Sequence, residues 1–137
     1  MLRLPTAVCA DIEQHGRESY PHECCGFLIG RPGRPRVATR AHRLVNQCGR
    51  RARDRFEVDP LDWLRVERCL SDDEQVIGIY HSHPDRPSRP SDLDREGAHP
   101  HLSYVIVAVR RGEIESLQSW ELHPETRVFG EERVEAP

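Results

Sequence analysis

Two rhythms of hydrophobic residues run along the chain. A helical rhythm comes first: after Leu2 and Leu4, a short strand, Pro5 and Thr6 open a helix to about residue 20, with Val8, Cys9 and Ile12 on its buried side. Gly16 weakens its last turns and Pro21 ends it. The run 24–30, Cys-Cys-Gly-Phe-Leu-Ile-Gly, reads as a buried strand, and residues 31–35 as a turn rich in proline and glycine. A strand over 37–45 then pairs back as a hairpin. Asp59 followed by Pro60 is a helix start, and Leu61, Leu64, Val66 and Leu70 form its apolar stripe as far as Ser71. Strands follow at 76–82, 102–109 and 114–122, with a short helix at 91–97. Residues 126–137 add an edge strand before fraying at about 129–137. A helix followed by strands and interspersed helices predicts one α/β layered domain over 1–137, with a mixed β-sheet flanked by helices.

Composition narrows the setting. With 137 residues, 36% hydrophobic and 31% charged, the chain suits one modest core. A net charge of −3 gives no reason to expect nucleic acid or an anionic membrane as partner. All 20 cationic residues are arginine. No apolar stretch approaches a membrane span and the first residues do not read as a signal peptide, so the cytoplasm is the expected compartment. Five cysteines, an odd number with no Cys-x-x-Cys pair, argue against a disulfide framework and a thiolate zinc site. Cys24, Cys25 and Cys69 are expected as small core residues.

The candidate chemistry lies in residues 76–94. The strand 76–82 leads into His81-Ser82-His83-Pro84. On a strand, residues i and i+2 share a face, about 6.8 Å apart, so the two imidazoles can converge on one ion. On a helix they would diverge. Pro84, Pro87 and Pro90 stiffen the loop that follows and hold Asp94 against the histidines at low entropic cost. Two histidines and one aspartate leave a fourth position for water, the pattern of catalytic rather than structural zinc. Each piece also has an ordinary reading. Ser91-x-x-Asp94 resembles a helix cap, Glu23 alone is a solvent-facing residue before a strand, and the arginines at 50, 51, 53 and 55 are a solvated loop or a substrate-contacting one.

Taken together, Glu23, His81-Ser82-His83-Pro84, Ser91 and Asp94 resemble the JAMM motif of the MPN+ metallopeptidases, with every position filled. The resemblance extends through residues 20–30 and 103–109 and covers roughly 6–122; the length is similar to that of the stand-alone prokaryotic branch. It implies the MPN fold, which is cytidine-deaminase-like. It further implies one Zn²⁺ per chain on His81, His83 and Asp94, Glu23 as general base and Ser91 as oxyanion stabiliser. The implied substrate is a ubiquitin-like sulfur-carrier protein or its adduct, cut after a C-terminal Gly-Gly. A non-catalytic MPN scaffold, a deubiquitinase-like enzyme and a general metallopeptidase are the alternatives, and a homodimer is left open. A zinc nucleoside deaminase would need a Pro-Cys-x-x-Cys pair that the chain lacks. Cys25 has no activating neighbour in the sequence.

Overall fold

The protein, described here by a computed structural model, is defined over residues 1–49 and 52–136. Arg50 and Arg51, part of the expected arginine loop, lie outside the described residues. The elements run β1 (Leu2–Arg3), α1 (Thr6–Ser19), β2 (Cys25–Arg31), β3 (Arg36–Leu44), α2 (Pro60–Arg68), β4 (Gln75–Pro84), α3 (Asp92–Glu96), β5 (Ser103–Arg110), β6 (Glu113–Leu122), β7 (Phe129–Glu132) and β8 (Val134–Glu135). They form one mixed sheet in the order β7-β6-β5-β4-β2-β3-β1-β8. This is the α/β layered architecture expected from the sequence.

The sheet's two outermost strands, β7 and β8, are separated in the chain by Arg133 alone. One residue spans only a few ångströms, so the sheet curls until its ends meet. Arg36 on β3 accordingly reaches strands from the far side: its Nη1 lies 2.8 Å from Glu121 and 3.2 Å from the buried Glu132. Phe129–Glu132 and Val134–Glu135 thus lie in strands at the two ends of the sheet, rather than in one edge strand.

The curled sheet buries two clusters. On one face α1 inserts Val8 and Ile12 among Leu28, Tyr80, Val105 and Val107. On the other, Phe27, Ile29, Ile79 and Tyr104 are covered by Val66 of α2 and by Phe56 and Trp63. The stripe of α2 differs from expectation. Leu61 and Leu64 are each 53% exposed. The buried phase instead runs through Trp63, Val66 and, past the helix end, Leu70, because the Trp63 ring packs on Phe27 at 4.5 Å between centroids. Cys69, expected in the core, is exposed, whereas Cys24 and Cys25 are buried.

The register of three strands sets up the site. β4 runs parallel to β5 and antiparallel to β2, with Cys25 opposite His81. Cys24 stays in step with Ser82: the Ser82 amide donates to the Cys24 carbonyl at 3.1 Å, and the Cys24 amide donates to Ser82 Oγ at 2.8 Å. One further step places Glu23 beside His83. Gly26 is required here: a Cβ would sit 2.3 Å from the ring of Tyr80 on β4. The crossover from β4 to β5 carries α3 over the same end of the sheet.

Candidate metal centre

His81 and His83 emerge from β4 on one face, as the strand spacing requires, and both are buried. Their Nε2 atoms are 3.2 Å apart. Asp94 closes the third side, with Oδ1 3.2 Å from His81 Nε2 and Oδ2 3.1 Å from His83 Nε2. Asp94 is fixed by α3. Ser91 Oγ accepts from the Asp94 amide, and Asp94 Oδ2 accepts from the Ser91 amide, a complete capping box. One carboxylate therefore both caps the helix, as Ser-x-x-Asp suggests, and faces the histidines.

The protonation pattern leaves an unfilled need. Pro87 O can only accept, so His83 Nδ1, 2.7 Å away, donates to it. In the neutral ring Nε2 then carries a lone pair. That lone pair meets a carboxylate oxygen and a second imidazole nitrogen at 3.1 and 3.2 Å. Burial pushes the His81 pKa down, favouring the neutral ring. Burial works against the Asp94 carboxylate, yet His81 and His83 outweigh it and hold Asp94 well below the usual carboxylate range. A cation held between them would satisfy all three groups at once. With metal–ligand distances of about 2.0–2.1 Å, tetrahedral zinc spaces its ligands by about 3.3 Å; the two Nε2 atoms stand 3.2 Å apart, and each has one Asp94 oxygen at 3.1–3.2 Å.

Glu23 completes the cluster, and its placement corrects the solvent-facing reading. Glu23, His81 and His83 offer ligand atoms within 4.8 Å of one another. Glu23 stands off farther than Asp94, with Oε1 3.8 Å from His83 Nε2. It is 2% exposed, and its Oε2 is buried without a hydrogen-bond partner among the described residues. Burial raises its pKa to about 8, against the pull of Arg86 and with the help of Asp94.

Three contributors were not singled out from the sequence. Arg86, in the proline loop, places Nη2 3.0 Å from Glu23 Oε1. Phe56 stacks on His81 with centroids 4.4 Å apart. Asn46 ties the 46–57 loop to the site: its Nδ2 donates to the carbonyls of Glu23 and Arg55, and its Oδ1 accepts from the amides of Cys48 and Glu57. The Glu23 amide also donates to the Ala52 carbonyl. Only the hydrophobic Phe56 in a polar stretch signals any of this in advance. His22 is exposed, as expected. Burial raises the Cys25 thiol to about 12, which removes it as a nucleophile.

Beside Asp94 opens a cavity of about 560 Å³, lined by Phe56, Trp63, Ile79, Leu93 and Tyr104 among others.

A curled mixed sheet with two strand histidines, a helix-borne aspartate and a glutamate on the neighbouring strand's approach defines a JAB/MPN-type domain. The chain belongs to the prokaryotic homologues of the JAB domain, whose family model matches residues 5–123. It is 32% identical over 111 residues to the CysO-cysteine peptidase of Mycobacterium tuberculosis, covering 79% of this chain and 73% of that one. It is 36% identical over 103 residues to the desampylase of Haloferax volcanii, covering 71% and 73%. Among solved structures, a protein from Desulfitobacterium hafniense superposes with a TM-score of 0.86 at 27% identity, covering 100% of this chain and 93% of that one. A JAB1/MPN domain protein from Archaeoglobus fulgidus gives 0.59 at 18%, covering 97% and 96%, and supports the fold alone.

Proposed function

We propose that this protein is a zinc-dependent peptidase that hydrolyses the amide bond after the C-terminal Gly-Gly of a ubiquitin-like sulfur carrier. The observation that carries the reading is the cluster of His81, His83 and Asp94, in which the two Nε2 atoms are 3.2 Å apart and each meets one Asp94 oxygen at 3.1–3.2 Å, with a buried glutamate beside it. Asp94 approaches the histidines more closely than Glu23 does, which supports Asp94 as the third ligand and Glu23 as the proton-transfer group. When bound, zinc supplies Lewis-acid polarisation of the scissile carbonyl and acidification of water.

The chain's own groups do the rest. Glu23 takes a proton from the attacking water and returns it to the leaving amine. Ser91 Oγ spends a lone pair on the Asp94 amide, so its O–H remains to donate to the developing oxyanion. The cavity beside Asp94 receives the extended tail. The names of the two relatives, a peptidase of a CysO-cysteine bond and a desampylase, support a carrier adduct as substrate.

The test is a carrier ending in Gly-Gly and extended by a C-terminal cysteine, incubated with zinc-loaded protein and followed by mass. Wild type releases the extension. Glu23→Gln binds zinc normally and loses at least 10²–10⁴-fold in rate. Zinc lost from Glu23→Gln makes Glu23 a ligand. Hydrolysis of unrelated peptides without carrier cleavage makes the protein a general metallopeptidase.

A further inference from the structure

The ion pair between Arg86 and Glu23 leaves most of the guanidinium unused. Nη2 donates to Glu23 Oε1 at 3.0 Å. Nε is buried with no partner, and no other hydrogen bond to this side chain exists among the described residues. Arg86 is also unusually well placed for a loop arginine. Asp85, in the left-handed region at φ 56°, accepts from Tyr20 Oη at 2.7 Å and from the Arg111 amide at 2.8 Å, while its own amide donates to Val109 O at 2.8 Å. Pro87 follows directly, and its carbonyl is held by His83. Beyond it, Ser88 is clamped to β6 through Ser116, Gln118 and Trp120. The loop therefore presents one partly exposed guanidinium, rigidly, next to the group that protonates the leaving amine.

We propose that Arg86 selects the leaving group by binding the free α-carboxylate of a single amino acid attached after the carrier's Gly-Gly. This rests on the peptidase reading above. Hydrolysis breaks the C–N bond, puts the water's OH on the glycine carbonyl carbon and its proton on the leaving nitrogen, through Glu23. In an α-amino acid the nitrogen and the carboxylate carbon are about 2.5 Å apart. An amine at Glu23 thus brings its own carboxylate to the guanidinium bonded to Glu23. The planar fork suits this, because one edge holds Glu23 while the other N–H groups take the second carboxylate. An isopeptide-linked lysine offers no such anion: its ε-nitrogen is separated from its backbone by four methylenes. The preferred substrate class is a one-residue C-terminal extension rather than a carrier conjugated to a protein lysine.

The experiment compares two carriers extended by one cysteine, one a free acid and the other a C-terminal carboxamide. Wild type is expected to favour the acid in kcat/KM by about tenfold or more, the range of a charge-assisted hydrogen bond. Arg86→Gln disturbs Glu23 equally for both substrates, so its acid-to-amide ratio isolates carboxylate binding and is expected to fall to about one. Arg86→Lys keeps the charge and retains part of the preference. Equal rates in wild type, or a preference that survives Arg86→Gln, overturn the proposal. A second readout needs no turnover: calorimetric binding of acetyl-Gly-Gly-Cys acid and amide to metal-free protein. The acid binds more tightly to wild type only; equal binding of both to wild type overturns the proposal. Absence of cleavage of both carriers would refute the peptidase reading, and the binding comparison would still decide the role of Arg86.

Discussion

Phe56 lies against the His81 imidazole, with centroids 4.4 Å apart and planes inclined by 26°. His81 Nδ1 is buried with no hydrogen-bond partner among the described residues. The two histidines are thus oriented by different means, His83 by the Pro87 carbonyl and His81 by an aromatic face. Groups that orient a ligand typically contribute 10–100-fold to metal affinity. Phe56→Ala is expected to weaken zinc binding by about tenfold, while Phe56→Tyr keeps it near wild type. Competition against a chromophoric chelator measures both.

The ligand assignment makes a sharper claim. His81→Ala and Asp94→Ala should each lose most of the zinc, read as metal per chain by elemental analysis after gel filtration. Asp94→Ala also removes half of the α3 capping box, the acceptor for the Ser91 amide. His81→Ala leaves the cap intact and so separates metal loss from helix loss. One zinc per chain in both variants would show that Asp94 and His81 are not the ligands.

How far the sequence reached can be judged residue by residue. The strand period alone puts His81 and His83 on one face, because side-chain direction in a strand is local. The approach of Asp94 is also local, through a short proline-stiffened loop and a capped helix turn. Glu23 is different. Its place beside His83 comes from the pairing of β2 with β4, a long-range register that no local pattern encodes; only the motif resemblance anticipated it. Arg86 looked like any arginine in a loop, since Asp85 and the pairing with Tyr20 and Arg111 are what aim it. The phase of α2 departs from the sequence pattern because Leu61 and Leu64 are apolar and the space for Trp63 against Phe27 exists only in the folded sheet. The curling of the sheet was invisible for the same reason: it depends on one residue, Arg133, joining strands that pair with opposite ends.

His15 supplies a pH dependence remote from the metal centre. Its Nδ1 and Tyr80 Oη share a hydrogen bond of 2.7 Å. Burial lowers the His15 pKa to about 4, with Arg43 acting in the same direction and Glu18 against it. The unfolded chain takes up this proton near pH 6.5. Between those values the unfolded state binds more protons than the folded one, so stability rises with pH across that window. The contribution is complete above about pH 6.5 and is lost progressively as pH falls towards 4. Gln at position 15 can make the same hydrogen bond and does not titrate. Urea unfolding of metal-free protein at pH 7 and pH 4.5 should show a larger loss for wild type than for His15→Gln. Equal losses in the two proteins would mean that His15 is protonated as easily in the fold as outside it.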